Sequence, residues 1–554
     1  MPDSLDFILQ RDVRNETIPR IGKDAWLTVY DELGLTSGIY SALVPDASVT
    51  EVIATPAWEI YKGDGGREVS HDEDHGHSYE RLSGPHGVEP IVWTRSYDRI
   101  RPEHLELSEE YRLFHNLFHD RDRGEFIRIN EDGSEEVVGR IKGMRCELRV
   151  RDLRQYLAIR RMHLAVYFQI WRESSISADK LPAGEAVRQT IRDDLTCYEF
   201  EAFKDPARKP GVETVSKTIG KKLVQPVALK SCDIWPYKAK ETFESFVIGT
   251  DDDGKNVEHT CNPDTLASYF GENPDAPDYL TPVFFRRSVL TRYFASTSKY
   301  TIADGRLQCA SLWSLNIDNN HPDLVSVALG DLGRDLPPGE RVHWKAHNVP
   351  PDGAEISEVN FRRNFLGEWT DADAVDLVFR AAYERFHAPW NSRFGWRLFR
   401  PLHEADQHCL GALRRLLADE QAEFDEQLKN LTKLLVDSLN DVALQAALVT
   451  KVEDEKSIGK LTRWLVKEGQ PNATRHIEFL KKLQAIRSKG AAHGKGSGYE
   501  ELMKRIGYEG RPLSAVFDEI LKEATGMLDD LRKWSESPVA KAGAPAAPAT
   551  PPRP

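Results

Sequence analysis

The chain has little cysteine, and none of it is paired. Its six cysteines, at 146, 197, 232, 261, 309 and 409, lie scattered with no C-x-x-C. That excludes zinc-finger spacing and a disulfide framework, and leaves isolated buried thiols. No apolar run approaches the roughly 18 residues of a membrane-spanning helix. The first ten residues, Met-Pro-Asp-Ser-Leu-Asp-Phe-Ile-Leu-Gln, hold no basic segment ahead of a long apolar core, unlike a secretory signal. The expectation is a cytoplasmic protein with no membrane partner. Neither a P-loop nor a G-x-G-x-x-G is present, so nucleotide hydrolysis has little support and no cofactor is expected. There is no basic surplus either. A net charge of −14 disfavours nonspecific coating of nucleic acid or anionic membrane, but a local basic cleft can still grip one RNA.

What is present is ordinary globular composition, 40% hydrophobic and 29% charged. A chain of 554 residues holds about three or four domains, because single cores seldom grow past roughly 250 residues. Patterning predicts an α+β multidomain protein, with mixed α/β N-terminal and central regions followed by an all-α helical bundle. The segments read as 1–175 mixed α/β, 176–370 mixed α/β with hairpins, 371–399 a helical connector, 400–535 the bundle, and 536–554 a Pro/Ala-rich disordered tail.

In chain order, residues 52–56 and 90–94 read as short strands and 105–118 as a helix. Residues 125–141 read as a hairpin turning on Asp132-Gly133. Residues 151–170 read as one long helix, whose Arg149, Arg151, Arg154, Arg160 and Arg161 form a basic outer face. Residues 279–294 read as a helix that precedes two strands joined at Asp304-Gly305. Beyond residue 371 the periodicity is helical. Phe424, Leu428, Leu431, Leu435 and Leu439 form one buried stripe, and Phe479, Leu483 and Ile486 another.

Two polar clusters in the α/β part invite a site reading. His71-Asp-Glu-Asp-His-Gly-His77 sets three histidines and three acids in seven residues. It has no apolar frame to fix a metal geometry and reads as a solvated loop, so no metal ligands are assigned. Asp318, Asn319, Asn320, His321 and Asp331 flank a strand. Loops at strand ends carry binding residues, so these could line a ligand pocket, or they could only shape turns.

The most chemical stretch is near the C-terminus. A basic amphipathic helix ends in Arg487-Ser-Lys-Gly-Ala-Ala-His493, followed by Gly-Lys495-Gly. Arginine offers a permanently charged fork for phosphate oxygens, and histidine titrates near neutrality. Six positions on a continuous helix are about 240° out of phase. His493 therefore needs a turn to reach Arg487, and Gly490 is the expected C-cap that supplies it.

Arg487 and His493 match the R-x4–6-H pattern of HEPN domains, and the bundle around them is of the matching kind. The C-terminal domain therefore resembles that superfamily, with Ser488 where many members have Asn, Asp or His. Residues 279 to about 369 resemble a block found in uncharacterised bacterial proteins. The HEPN resemblance implies a metal-independent endoribonuclease acting as a homodimer, with Arg487 and His493 catalytic and Lys489 and Lys495 holding RNA. It also implies an effector of a bacterial defence or toxin-type system, whose α/β part senses an unknown trigger ligand or phage component. Two other readings remain: a noncatalytic dimeric scaffold that binds RNA or a protein, and a metal-dependent enzyme in the α/β part.

Overall fold

The structure is a computed structural model that describes residues 4–34, 37–58, 67–81, 87–181, 188–204, 210–268, 270–321, 323–490 and 497–537. It is an α+β protein of two compact units, Met1–Glu241 and Thr242–Pro554.

The first unit is built on one large antiparallel sheet. Across it the strands run Gln189–Arg192, Thr196–Phe203, Thr214–Val224, Met162–Ser174, Gly38–Pro45, Trp26–Asp31, Arg145–Arg149, Glu135–Lys142, Glu125–Ile129 and Phe118–Asp120, with Glu89–Pro90 beside Gly38–Pro45. Met162–Ser174 is the central strand. It pairs with Thr214–Val224 from Leu164↔Val224 to Ser174↔Thr214, and on its other edge with Gly38–Pro45.

This strand replaces the second half of the long helix expected over 151–170. The helix spans Val150–Arg160 and stops at Arg161, which is left-handed at φ 53°. The following Met-His-Leu-Ala-Val-Tyr-Phe is apolar enough to bury both faces, and periodicity alone does not separate such a run from a buried helix. Two ladders of backbone hydrogen bonds decide for the strand. Four of the five arginines have partners within the protein: Arg149 and Arg151 pair with Glu136, Arg154 donates to the Gln225 carbonyl, and Arg160 pairs with Glu110.

Two smaller expectations also change. Residues Val49–Val52 form a helical turn, and the 105–118 stretch divides into strand Arg101–Leu107 and helix Glu109–Phe114. The Asp132-Gly133 hairpin forms as expected. The His71 to His77 segment is the tip of a hairpin, with the two outer rings 4.3 Å apart. Among the described residues no group of three or more His, Cys, Asp or Glu is placed to hold a metal ion. No helix among them is long and apolar enough to cross a membrane.

His115, in this unit, is 7% exposed and donates its Nε2–H to the Asp152 carbonyl at 3.0 Å. Burial pushes its pKa down to about 4. The neutral ring is therefore favoured by folding, while the unfolded chain protonates near 6.5. This contribution is intact above pH 6.5 and is lost as pH falls towards 4, at a cost of about 3 kcal/mol from the linkage relation. Denaturant titrations at pH 7 and pH 4 should show that loss in the parent protein. A His115→Gln variant should show less of it, and equal losses in the two proteins would refute the assignment.

The second unit holds a small α/β lobe and the bundle. The lobe centres on a sheet ordered Leu324–Ala328, Pro282–Arg286, Asn348–Val349. Pro282–Arg286 thus replaces part of the helix expected over 279–294, because its Val-Phe-Phe core lies between two strand partners. Strands Tyr300–Ala303 and Arg306–Cys309 make the Asp304-Gly305 hairpin. In the bundle, Val375–Phe394 packs along Leu513–Glu536, around a core that includes Phe424, Leu428, Leu431, Leu483, Ile486, Phe517 and Leu528. Lobe and bundle are hydrogen-bonded together. Asn320 Oδ1 accepts the N–H groups of Asp373 and Ala374 at the start of the long Val375 helix, and Arg380 within it donates to the Ile302 carbonyl.

Candidate functional site

The helix Ala473–Gly490 buries Ile477, Phe479, Leu480, Leu483 and Ile486 at helical spacing. That leaves Arg487 and Lys489 of its last turn pointing outward, where cations suit the helix dipole. Arg487 donates Nη1 to both carboxylate oxygens of Asp437, at 2.8 Å each. Its Nε and Nη2 make no hydrogen bond among the described residues.

Asp437 comes from an unusual place. Helix Gln421–Thr432 continues into a single π-helical turn, Lys433–Asp437, closed by the Ser438 N–H on the Lys433 carbonyl at 3.1 Å. Such widened turns rotate side chains off the regular helical face and recur at functional sites. A strap of chain runs antiparallel to the end of this turn: Phe399 bridges Leu439, and the Arg400 N–H donates to the Ser438 carbonyl at 2.7 Å. Between strap and turn opens a cleft of about 340 Å³, lined by Arg400, Leu402, His403, Asp406, Lys433 and Asp437, among others.

The cleft holds two cations, one on a carboxylate and one on a backbone carbonyl. Lys433 Nζ lies 2.5 Å from Asp406, whose pKa that hydrogen bond lowers. Arg400 Nη2 reaches the Asp437 carbonyl at 3.4 Å. His403 Nδ1 accepts the Ala405 N–H at 3.2 Å, so the proton of its neutral ring sits on Nε2. Two cations, Arg400 and Lys433, thus share the lining with two carboxylates, Asp406 and Asp437. Arg487 does not line this cleft but contacts it through Asp437.

The expected site residues fall as follows. Arg487 sits as described. Lys489 donates Nζ to the Gly498 carbonyl at 3.3 Å. His493 and Lys495 lie outside the described residues. Gly490 is not left-handed but helical, and it is buried. Its missing side chain admits the Tyr499 ring, which an added Cβ would meet at 2.8 Å.

Of the five polar residues in the lobe, Asp318 and Asp331 line a second cavity of about 340 Å³. Asn319, Asn320 and His321 do not line it. Asn319 accepts the Gly305 N–H, Asn320 Nδ2 donates to Asp304, and His321 Nδ1 accepts the N–H groups of Asp323 and Leu324. Burial raises the Asp331 carboxyl, an effect opposed by hydrogen bonds from Tyr279 and Asn316.

Sequence reasoning missed Asp437, Arg400, His403 and Lys433 altogether. The only local signal was Lys433-Leu-Leu-Val-Asp437, an i,i+4 charge pair inside a leucine stripe. Compared with protein-family models, curated proteins and solved structures, the chain matches none.

Proposed function

We propose that the C-terminal bundle is a HEPN-like, metal-independent endoribonuclease, the effector of a bacterial defence or toxin-type system. It works as a homodimer, and the N-terminal α/β part senses the trigger. The observation that carries the reading is Arg487, held by both carboxylate oxygens of Asp437 beside a cleft whose lining includes Arg400, Lys433 and His403.

RNA cleavage without a metal needs a proton taken from the 2′-hydroxyl, a proton given to the leaving 5′-oxygen, and charge offset on the phosphorane. Arg487 supplies the last through its Nε and Nη2 edge. His493 supplies a proton transfer. Arg400 and Lys433 hold neighbouring phosphates, with Lys489 and Lys495 adding positive potential.

The test is RNA cleavage in EDTA by the full chain and by His493→Ala. Cleavage that persists in EDTA and falls by about 10²-fold or more in the variant supports the enzyme reading. RNA that is bound but never cut, with or without added metal, favours the scaffold reading. Activity abolished by EDTA moves the chemistry to a metal-dependent site.

A further inference from the structure

The lobe cavity lined by Asp318 and Asp331 shares no residue with the Arg487 cleft, and the proposed ribonuclease chemistry makes no use of it. One wall is fixed. Asp331, 8% exposed, accepts the Tyr279 hydroxyl at 2.9 Å and the Arg334 guanidinium at 2.8 Å. Gly330 lets the Tyr279 ring lie flat there, since a Cβ at that position would stand 2.3 Å from the ring.

The facing wall has unfilled hydrogen-bonding capacity. Asn360 and Asn364 stand one helical turn apart on Glu358–Asn364 and both line the cavity. Neither carboxamide makes a hydrogen bond among the described residues. Phe365, at the rim, is 51% exposed and stacks on Phe361 with centroids 5.6 Å apart.

The lining charge selects the ligand. Two carboxylates, Asp318 and Asp331, face one guanidinium, Arg334, which is already shared between Asp331 and Asp335. Among the described residues no lysine lines the space. Phosphate and carboxylate ligands are repelled, whereas a flat, uncharged ring with donors and acceptors on its edge fits. The volume suits a small ligand of that kind, and carboxamides read the edges of nucleobases by paired hydrogen bonds.

We propose that this cavity binds the base of an unphosphorylated nucleoside, with the ring on Phe365 and its edge on Asn360 and Asn364.

Calorimetric titration of the full chain with adenosine, guanosine, cytidine and uridine tests this. At least one should bind with Kd below about 1 mM. Asn360→Ala and Asn364→Ala should each weaken it about tenfold, the loss of one well-placed hydrogen bond. Phe365→Ala should weaken it comparably through lost stacking. The 5′-monophosphate of the same nucleoside should bind more weakly than the nucleoside. Thermal melts of the variants report whether the fold is kept, and Phe365→Ala, at an exposed position, serves if an asparagine variant unfolds. No binding by any nucleoside, affinity unchanged in all three variants, or tighter binding of the monophosphate would each overturn the proposal.

Discussion

Arg487→Ala is expected to lower RNA cleavage by about 10²- to 10³-fold, the usual cost of removing one donor aimed at developing charge. Stability should hardly change. Arg487 and Asp437 are about a third exposed, and exposed ion pairs contribute at most about 1 kcal/mol. Two further variants separate catalysis from fold. Arg487→Lys keeps the charge but not the planar fork, so it should recover only part of the lost rate. Asp437→Asn keeps the shape and removes the charge that aligns the guanidinium, so cleavage should drop while the melting temperature stays nearly level. If Arg487 were only a helix-end ion pair, Arg487→Ala and Asp437→Ala would act alike on stability and neither would touch the rate. Single-turnover rates with saturating RNA, measured beside melts of the same samples, decide between these outcomes.

Two glycines six positions apart should respond to alanine in opposite directions. Gly333 lies in the helix Leu329–Asp335, and a Cβ there would sit 1.9 Å from the Cys261 carbonyl oxygen and 2.9 Å from its carbon. Both atoms are backbone, so no side chain can swing aside, and the helix must lift off the 261–263 segment. The cost is expected to be at least about 3 kcal/mol. Gly339 lies in the next helix, Pro338–His347, with nothing within 4 Å of its would-be Cβ. There alanine removes freedom from the unfolded chain and should add about 0.5–1 kcal/mol. Urea midpoints of the two variants should bracket that of the parent. A Gly333→Ala protein as stable as the parent would show that the helix docks differently.

The parts that were legible in sequence are those where burial acts on one side. Phe424, Leu428, Leu431 and Leu435 fall on one helical stripe because only that stripe meets the core, and all four are buried. Asp132-Gly133 and Asp304-Gly305 announce hairpins because a left-handed residue is needed there, and both glycines take positive φ, 71° and 77°. The strand Met162–Ser174 was not legible, since burial on both faces erases the alternation that marks a strand. The same limit applied at the candidate site. Arg487 could be seen as a last-turn cation, but its carboxylate lies fifty positions away and is brought round by a π turn that leaves no spacing signature. Arg400 and His403 enter only through the pairing of Phe399 with Leu439. In the lobe, Asp318 and Asp331 could be picked out at strand ends, whereas Asn360 and Asn364 look like any polar helix face until the opposite wall is known.

Asn320 carries a consequence for how the chain can be cut and exchanged. Its amide oxygen receives the first free N–H groups ahead of the long bundle helix, while its amide nitrogen holds Asp304 in the lobe. One side chain is thus the hinge pin of both parts. A gene fragment beginning near residue 371 would leave that helix start without its acceptor and Arg380 without the Ile302 carbonyl. Recombination that respects the molecule would therefore carry lobe and bundle together, and a protein bearing only the bundle would have had to evolve another way of closing that end.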